Sequence, residues 1–299
     1  MGRLENKVAF ITGAARGQGR AHAVQMAKEG ADIIAVDLCR QLDTVPYPLA
    51  TPEDLAETVR LVEDQDRQCL AVQADARDSQ AMRDAVQAGV ARFGGLDIGV
   101  INHGIVHITS WDTITDDEFD QMIDINLNSV WRASRAVIPH LVERGGGSLI
   151  LTASSAGIRP FAGLLSYTAA KHGVVGLAKA LAIELAPHWI RVNALCPGNV
   201  ATPMFFTQHL FDAYKGAPGG TIEDAKFPAE AAQLLPIPWY GPEEIAHAAV
   251  YLASDEGKVV TGTAFSVDAG MTNQPPGIPR IAATKIAELT QRIAELEGL

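Results

Sequence analysis

The chain of 299 residues is 47% hydrophobic and 20% charged, which supplies a full core and excludes a disordered polymer. A net charge of −11, with no compensating block of lysine and arginine, excludes a nucleic-acid partner. Cys39, Cys69 and Cys196 lack CxxC spacing and no apolar run nears the ~18 residues of a membrane span, so a soluble, cytoplasmic protein without disulfides, structural zinc or a membrane partner is expected.

From the N-terminus, the apolar run VAFIT predicts a first strand over 8–12, and TGAARGQG a glycine turn that opens a helix over 19–29. Short β-branched runs at 31–36, 69–74, 96–101, 148–153, 190–195 and 263–268 predict further strands. Segments 79–93 and 116–141 between them carry apolar residues three and four apart, as helices do. Strands that are apolar on both faces and separated by helix-length connections make a parallel sheet covered on both sides. Residues 1–270 are therefore expected to form one doubly wound α/β domain of Rossmann type with about seven strands.

Three stretches stand outside that rhythm. Residues 38–55, LCRQLDTVPYPLATPEDL, read as an insertion after the second strand that ends in a helix capped by Thr51-Pro52-Glu53. Residues 202–241 hold Phe205, Phe206, Phe211, Tyr214, Phe227, Trp239 and Tyr240, and read as a lid over an apolar pocket; part of that cluster is equally explained as a satellite core. In the 271–299 tail a linker, NQPPGIP, precedes an amphipathic helix marked by Ala282, Ile286, Leu289, Ile293 and Leu296, expected to dock on the body or on a neighbouring subunit.

Two constellations carry chemistry. Gly13, Gly17 and Gly19 lie between the first strand and the first helix, where a pyrophosphate can approach backbone amides at a helix N-terminus. Asp37, at the end of the second strand, can accept both adenosine ribose hydroxyls and repels a 2′-phosphate, which favours NAD over NADP. Arg16 in the same turn is read either as a partner for a 2′-phosphate or as a solvated charge. The second constellation is Tyr167-Thr168-Ala169-Ala170-Lys171, whose i,i+4 spacing puts phenol and ammonium on one helix face and is expected to lower the phenol pKa. Ser154 follows the fifth strand and can donate to a carbonyl or alkoxide oxygen. Asn126 sits in an apolar helical pattern where its propensity is poor, so it is expected to serve a specific purpose.

These residues, with CPGNVATPM (196–204) and TGTAFSVDAG (261–270), resemble the short-chain dehydrogenase/reductase family over about residues 3–270. The resemblance implies hydride transfer at a nicotinamide coupled to proton transfer by Tyr167. Ser154 would polarise the substrate oxygen, Lys171 would bind the nicotinamide ribose, and Asn126 would hold a relay water. It carries cofactor contacts onto Gln18 in the glycine turn, Asp75 and Ala76 in DARD, Asn102 and Gly104 in NHG, and Pro197, Val200 and Thr202. His103 departs from the alanine usual at that position, and a metal site built on His103 and His107 lacks a third ligand.

The GAARGQGRAHAV turn and the insertion look like the subgroup of carveol dehydrogenases and mycofactocin-coupled oxidoreductases. That likeness implies a hydrophobic secondary alcohol or ketone, such as a carveol-like terpenoid, as substrate. It also implies tightly held NAD reoxidised by mycofactocin as an external carrier, and a homotetramer joined through the helices of Asn126 and Tyr167. Val174, Val175, Leu177 and Leu181 would serve either that interface or the core. The competing expectations are a dehydrogenase with freely exchanging NAD, acting on a steroid or other alcohol, and a redox sensor that only binds NAD.

Overall fold

The computed structural model describes residues 2–274, 288–293 and 295. Strands β1 (Val8–Thr12), β2 (Asp32–Asp37), β3 (Cys69–Gln73), β4 (Ile98–Ile101), β5 (Gly147–Thr152), β6 (Ile190–Pro197) and β7 (Ala264–Val267) form one sheet. Their order is β3-β2-β1-β4-β5-β6-β7 and every neighbouring pair is parallel. The sheet is the expected doubly wound one, with a single domain built around it.

Helices α1 (Gly17–Lys28), α2 (Pro52–Glu63) and α9 (Pro242–Ala253) cover one face, burying Met26, Leu55 and Ile245 with Ile11 and Ile33. Helices α3 (Ser79–Phe93), α5 (Ser129–Arg144) and α6 (Leu165–Leu185) cover the other, burying Val86, Val137 and Val174 with Phe10 and Ile34. The five inner strands are thus buried on both sides, which is why they read as apolar runs, whereas the edge strands β3 and β7 are partly exposed. Val174, Val175 and Leu181 belong to this core, so they are not subunit-facing; Trp131, Ile183 and Trp189 are among the apolar side chains exposed on and beside α5 and α6.

The single helix expected over 116–141 is three pieces: α4 (Asp116–Ile123), a π-helical turn (Asp124–Asn128) and α5. In the wide turn the Ser129 N–H bonds the Asp124 carbonyl five residues back, and the turn carries Asn126 inward. Residues 202–241 are not an open loop but include α7 (Gln208–Lys215) and α8 (Ile222–Ala231). Threonines start both, Thr207 accepting from the Leu210 N–H and Thr221 forming a capping box with Asp224. The same device starts α2, where Thr51 and Asp54 cap reciprocally and Pro52 fills the first helical position.

Of the tail residues singled out above, Ala282, Ile286 and Leu296 lie outside the described residues. Leu289 and Ile293 fall in a helical stretch and are about half exposed, so no docking on the body is found there. No helix among the described residues is long and apolar enough to cross a membrane.

The amino ends of β1 and β4 are held by Asp97, a side chain only 7% exposed. It accepts from the Val8 N–H at 3.0 Å, from Arg144 Nε at 3.0 Å and from Lys7 Nζ at 3.4 Å. Asp97→Ala strands the buried Val8 donor, at the sheet end opposite the carboxyl ends of the strands. The expected loss is about 1–3 kcal/mol in urea unfolding, with turnover per folded molecule unchanged.

Candidate active site

The strand order reverses at β1, whose neighbours are β2 and β4, and this opens a crevice at the carboxyl ends of β1 and β4. A cavity fills the crevice, lined by Thr12, Gly13, Arg16, Gly17 and Gln18 of the glycine turn, by Asp37, and by Asp75 and Ala76 after β3. Asn102, His103 and Gly104 after β4 complete its floor, with Thr202 opposite. Gly19 lies behind this wall, and a Cβ there would stand 1.9 Å from the Gly13 carbonyl oxygen. Its contribution is therefore the close seating of α1 against the turn.

Asp37 reaches the cavity with a carboxylate already oriented by the backbone: Oδ2 accepts from the Ala15 N–H at 3.0 Å and Oδ1 from the Cys39 N–H at 3.1 Å. Each oxygen keeps a second lone pair for a ribose hydroxyl. Arg16 lines the cavity, and its guanidinium also donates to the Pro48 carbonyl and ties the insertion to the glycine turn. Asp75 is gripped by Arg77, with Nη2 to Oδ2 at 2.6 Å, and faces Arg40 at 3.7 Å. Burial pushes its carboxyl up, but the Arg77 hydrogen bonds and the two guanidinium charges prevail and hold it below the usual range.

Two further residues that the motifs did not single out join the cavity to the insertion. Arg20 donates from Nη2 to the Ala15 carbonyl at 2.6 Å and to the Asp54 carbonyl at 2.8 Å, so α1 grips both the turn and α2. Tyr47 is buried in the insertion and accepts from the Val106 N–H at 3.0 Å, packing with Ile105, Met122, Tyr167 and Met204. Arg20 lies within the quoted turn motif, whereas Tyr47 carries no signal beyond its place in a proline-rich stretch.

A second cavity of about 640 Å³ meets the first along Gln18, Asn102, Gly104, Ile105, Thr202 and Met204. Ser154, Tyr167, Lys171 and Asn126 line it, as do Pro197 and Val200, while Phe161, Leu164, Phe205, Leu210 and Tyr214 make its walls apolar. Of the seven clustered aromatics, Phe205 and Tyr214 face this space. Phe206, which is exposed, and Trp239 instead stack edge-on at 5.3 Å, and the Tyr240 hydroxyl accepts from the Gly198 N–H.

The titrating groups here are set by burial. Lys171 is pushed down to about 8 by burial and donates to the Thr152 carbonyl at 2.8 Å. Burial pushes the Tyr167 phenol up to about 12, with a Ser154 hydrogen bond pulling the other way. The expected lowering of the phenol by its lysine is thus corrected: the ammonium stands 5.6 Å from the ring centroid and gives one of its three donors to the Thr152 carbonyl, and desolvation dominates. Ser154 Oγ accepts from the Ala156 N–H at 3.1 Å, so its hydroxyl proton is the one shared between Tyr167 and any substrate oxygen in the cavity.

Asn126 is fully buried on the π-turn, accepting from the Ile105 N–H at 3.1 Å and donating to the Met122 carbonyl at 3.1 Å. It converges with Lys171 on Gly104, where a Cβ would stand 2.6 Å from Asn126 Oδ1 and 3.6 Å from Lys171 Nζ. Among the described residues no cluster of three or more potential metal ligands exists.

A family model described as short chain dehydrogenase matches residues 7–210. The (-)-trans-carveol dehydrogenase of Rhodococcus erythropolis is 43% identical over 277 residues, covering 91% of this chain and 99% of that protein. The crystal structure of carveol dehydrogenase from Mycobacterium avium in complex with NAD superposes with a TM-score of 0.89 at 45% identity, covering 91% of this chain and 99% of that one. A short chain dehydrogenase from Mycobacterium paratuberculosis bound to NAD superposes with a TM-score of 0.84 at 46% identity, covering 91% of this chain and 100% of that one.

Gly104→Ala drives a methyl group into the held Asn126 amide without touching Tyr167 or Ser154. Turnover is expected to fall roughly a hundredfold, with the circular dichroism spectrum kept; wild-type turnover in this variant would contradict the convergence on Gly104.

Proposed function

The chain belongs to the short-chain dehydrogenase family, and from that premise we propose that it is an NAD-dependent alcohol dehydrogenase for a hydrophobic secondary alcohol or ketone of carveol type. The observation that carries this reading is the junction of the two cavities: Ser154, Tyr167 and Lys171 line an apolar space that opens onto the dinucleotide crevice at Gly104 and Thr202. NAD supplies the hydride acceptor in oxidation, and NADH the donor in reduction. Thr12, Gly13, Gly17, Gln18, Asp37, Asp75, Ala76 and Asn102 would hold the dinucleotide, with the Asp37 carboxylate on the adenosine ribose. In alcohol oxidation the ionised Tyr167 takes the hydroxyl proton while Ser154 donates to the same substrate oxygen. Lys171, beside Asn126, is the next protonatable group along the path to Thr152. In ketone reduction the phenol gives the proton back.

The insertion favours a captive cofactor. Leu42, Tyr47, Leu49 and Ala50 form part of the crevice wall. Gln41 ties the loop to itself, donating to the carbonyls of Leu42 and Val45 at 3.1 Å and accepting from the Leu49 N–H at 2.9 Å. Arg16 and Tyr47 pin it to the glycine turn and to Val106. A dinucleotide behind that wall leaves only when several bonds open together, so its reoxidation by an external carrier of the mycofactocin kind fits better than exchange. The exposed Trp131, Ile183 and Trp189 supply apolar contact for a homotetramer, and the three buried, unpaired cysteines fit the reducing cytoplasm.

A single turnover tests the reading. A carveol-type alcohol added to the purified protein without added cofactor is expected to raise reduced-nicotinamide absorbance that stays with the protein through desalting. Signal only after free NAD is supplied, leaving with the small molecules, would mean an exchanging dehydrogenase. NAD binding without any turnover would mean a sensor. Arg16→Ala, which unties Pro48, is expected to speed cofactor release about tenfold or more.

The phenol's high value sets the pH dependence. Oxidation requires ionised Tyr167, so well below that value its rate is expected to rise by up to about tenfold per pH unit; reduction requires the protonated phenol and is expected to show no such rise. Rate profiles in both directions check this, and Tyr167→Phe is expected to abolish turnover while keeping NAD binding.

A further inference from the structure

His103 stands where the cofactor turn and the Asn126 segment come closest, and both of its ring nitrogens are engaged. Nδ1 lies 2.8 Å from Thr12 Oγ1 and Nε2 lies 2.6 Å from Ser129 Oγ. Thr12 is the last residue of β1, immediately before the glycine turn. Ser129 is the first residue of α5, immediately after the π-turn that carries Asn126. Thr12, His103 and Ser129 all line the dinucleotide crevice.

The direction of every proton in this chain follows from its neighbours. Ser129 Oγ donates its only proton to the Ile125 carbonyl at 2.6 Å, so toward His103 it can only accept. Nε2 of His103 must therefore carry the ring proton. Thr12 Oγ1 already accepts from the Asn102 N–H at 3.0 Å and the His103 N–H at 3.4 Å, which leaves its hydroxyl proton for Nδ1. A neutral ring is consistent with burial, which together with the Lys171 charge pushes this histidine down to about 4.

We propose that His103 is a positioning residue: a neutral imidazole strut, protonated on Nε2, that sets the cofactor turn through Thr12 and the Asn126 turn through Ser129. The two ends serve different parts of the reaction. The Thr12 end orients the hydroxyl that joins β1 to the β4 loop, and so shapes the crevice floor under the dinucleotide. The Ser129 end holds the hydroxyl that occupies the Ile125 carbonyl, one residue before Asn126, and so fixes the height at which Asn126 meets Gly104 and Lys171. An alanine would fill neither role, and a cationic ring would place a second proton against Thr12.

The functional arm of this inference rests on the dehydrogenase reading, and the two ends can be separated by substitution. An asparagine amide oxygen can take the acceptor place of Nδ1, and a glutamine amide nitrogen the donor place of Nε2. His103→Ala is expected to weaken NADH binding, followed by fluorescence titration, and to lower kcat, each about three- to tenfold. His103→Asn is expected to recover the binding but not kcat, and His103→Gln to recover kcat but not the binding. Equal recovery of both quantities by both variants, or no loss in His103→Ala, overturns the strut.

A spectroscopic arm needs neither turnover nor a variant that folds. Long-range proton–nitrogen correlation of the ¹⁵N-histidine-labelled wild-type protein at neutral pH is expected to show His103 as the Nε2–H tautomer. An Nδ1–H or a doubly protonated ring overturns the inference. If the wild-type protein neither binds NADH nor oxidises any alcohol while the tautomer is as expected, the dehydrogenase reading fails and the strut stands as a structural assignment.

Discussion

At the carboxyl ends of β1 and β4 the connections leave toward opposite faces of the sheet, and no strand or helix can fill the gap between them. Every part of the site is a response to that gap. The glycine turn brings backbone to one rim, Asn102, His103 and Gly104 bring it to the floor, and Thr202 closes it from the far side. Because the sheet is parallel and buried on both faces, the rims cannot relax without disturbing the core beneath them.

The groups that titrate are held by that core rather than by each other. The long helix α6 carries Tyr167 and Lys171 on one face, and its remaining faces pack Val174, Ala178 and Leu181 against the sheet. Desolvation then moves the two pKa values apart, the phenol up to about 12 and the ammonium down to about 8. An ammonium taken out of water persists only with partners. Lys171 has the Thr152 carbonyl, and its place beside Asn126 and Gly104 keeps polar atoms on its other side. The π-turn is the local device that makes this possible, because a regular α-helix would rotate Asn126 away from the Ile105 amide that orients it.

The insertion after β2 imposes a second order on the same crevice. Proline-stiffened chain following Asp37 loses little entropy when it folds back, and Arg16, Arg20 and Tyr47 each bind it to a different part of the body. On the opposite side, α7 lines the apolar cavity, with Phe205 and Tyr214 turned inward and Phe206 and Trp239 packed on each other. One wall faces the first cavity and the other the second, and both cavities reach Met204.

What was legible in the sequence was what depends on neighbours along the chain. Seven apolar runs, helix-length connections and the Thr51-Pro52 start mark the parallel sheet and its helices, because burial on both faces and capping are written within a few residues. The glycine turn, Asp37, Ser154, Tyr167 and Lys171 could be singled out because each sits at a fixed offset from a strand end or along a helix turn. The use of Arg16, the burial that reverses the expected shift of Tyr167, the π-turn under Asn126 and the two partners of His103 had no such signature. Each depends on segments far apart in sequence: Arg16 on Pro48, Lys171 on Thr152, His103 on Thr12 and Ser129. The sequence by itself determined the elements and their order, because propensity, periodicity and caps act locally. The tertiary structure alone decided protonation, hydrogen-bond direction and closure of the site, because desolvation and donor–acceptor pairing are settled only when distant surfaces exclude water together.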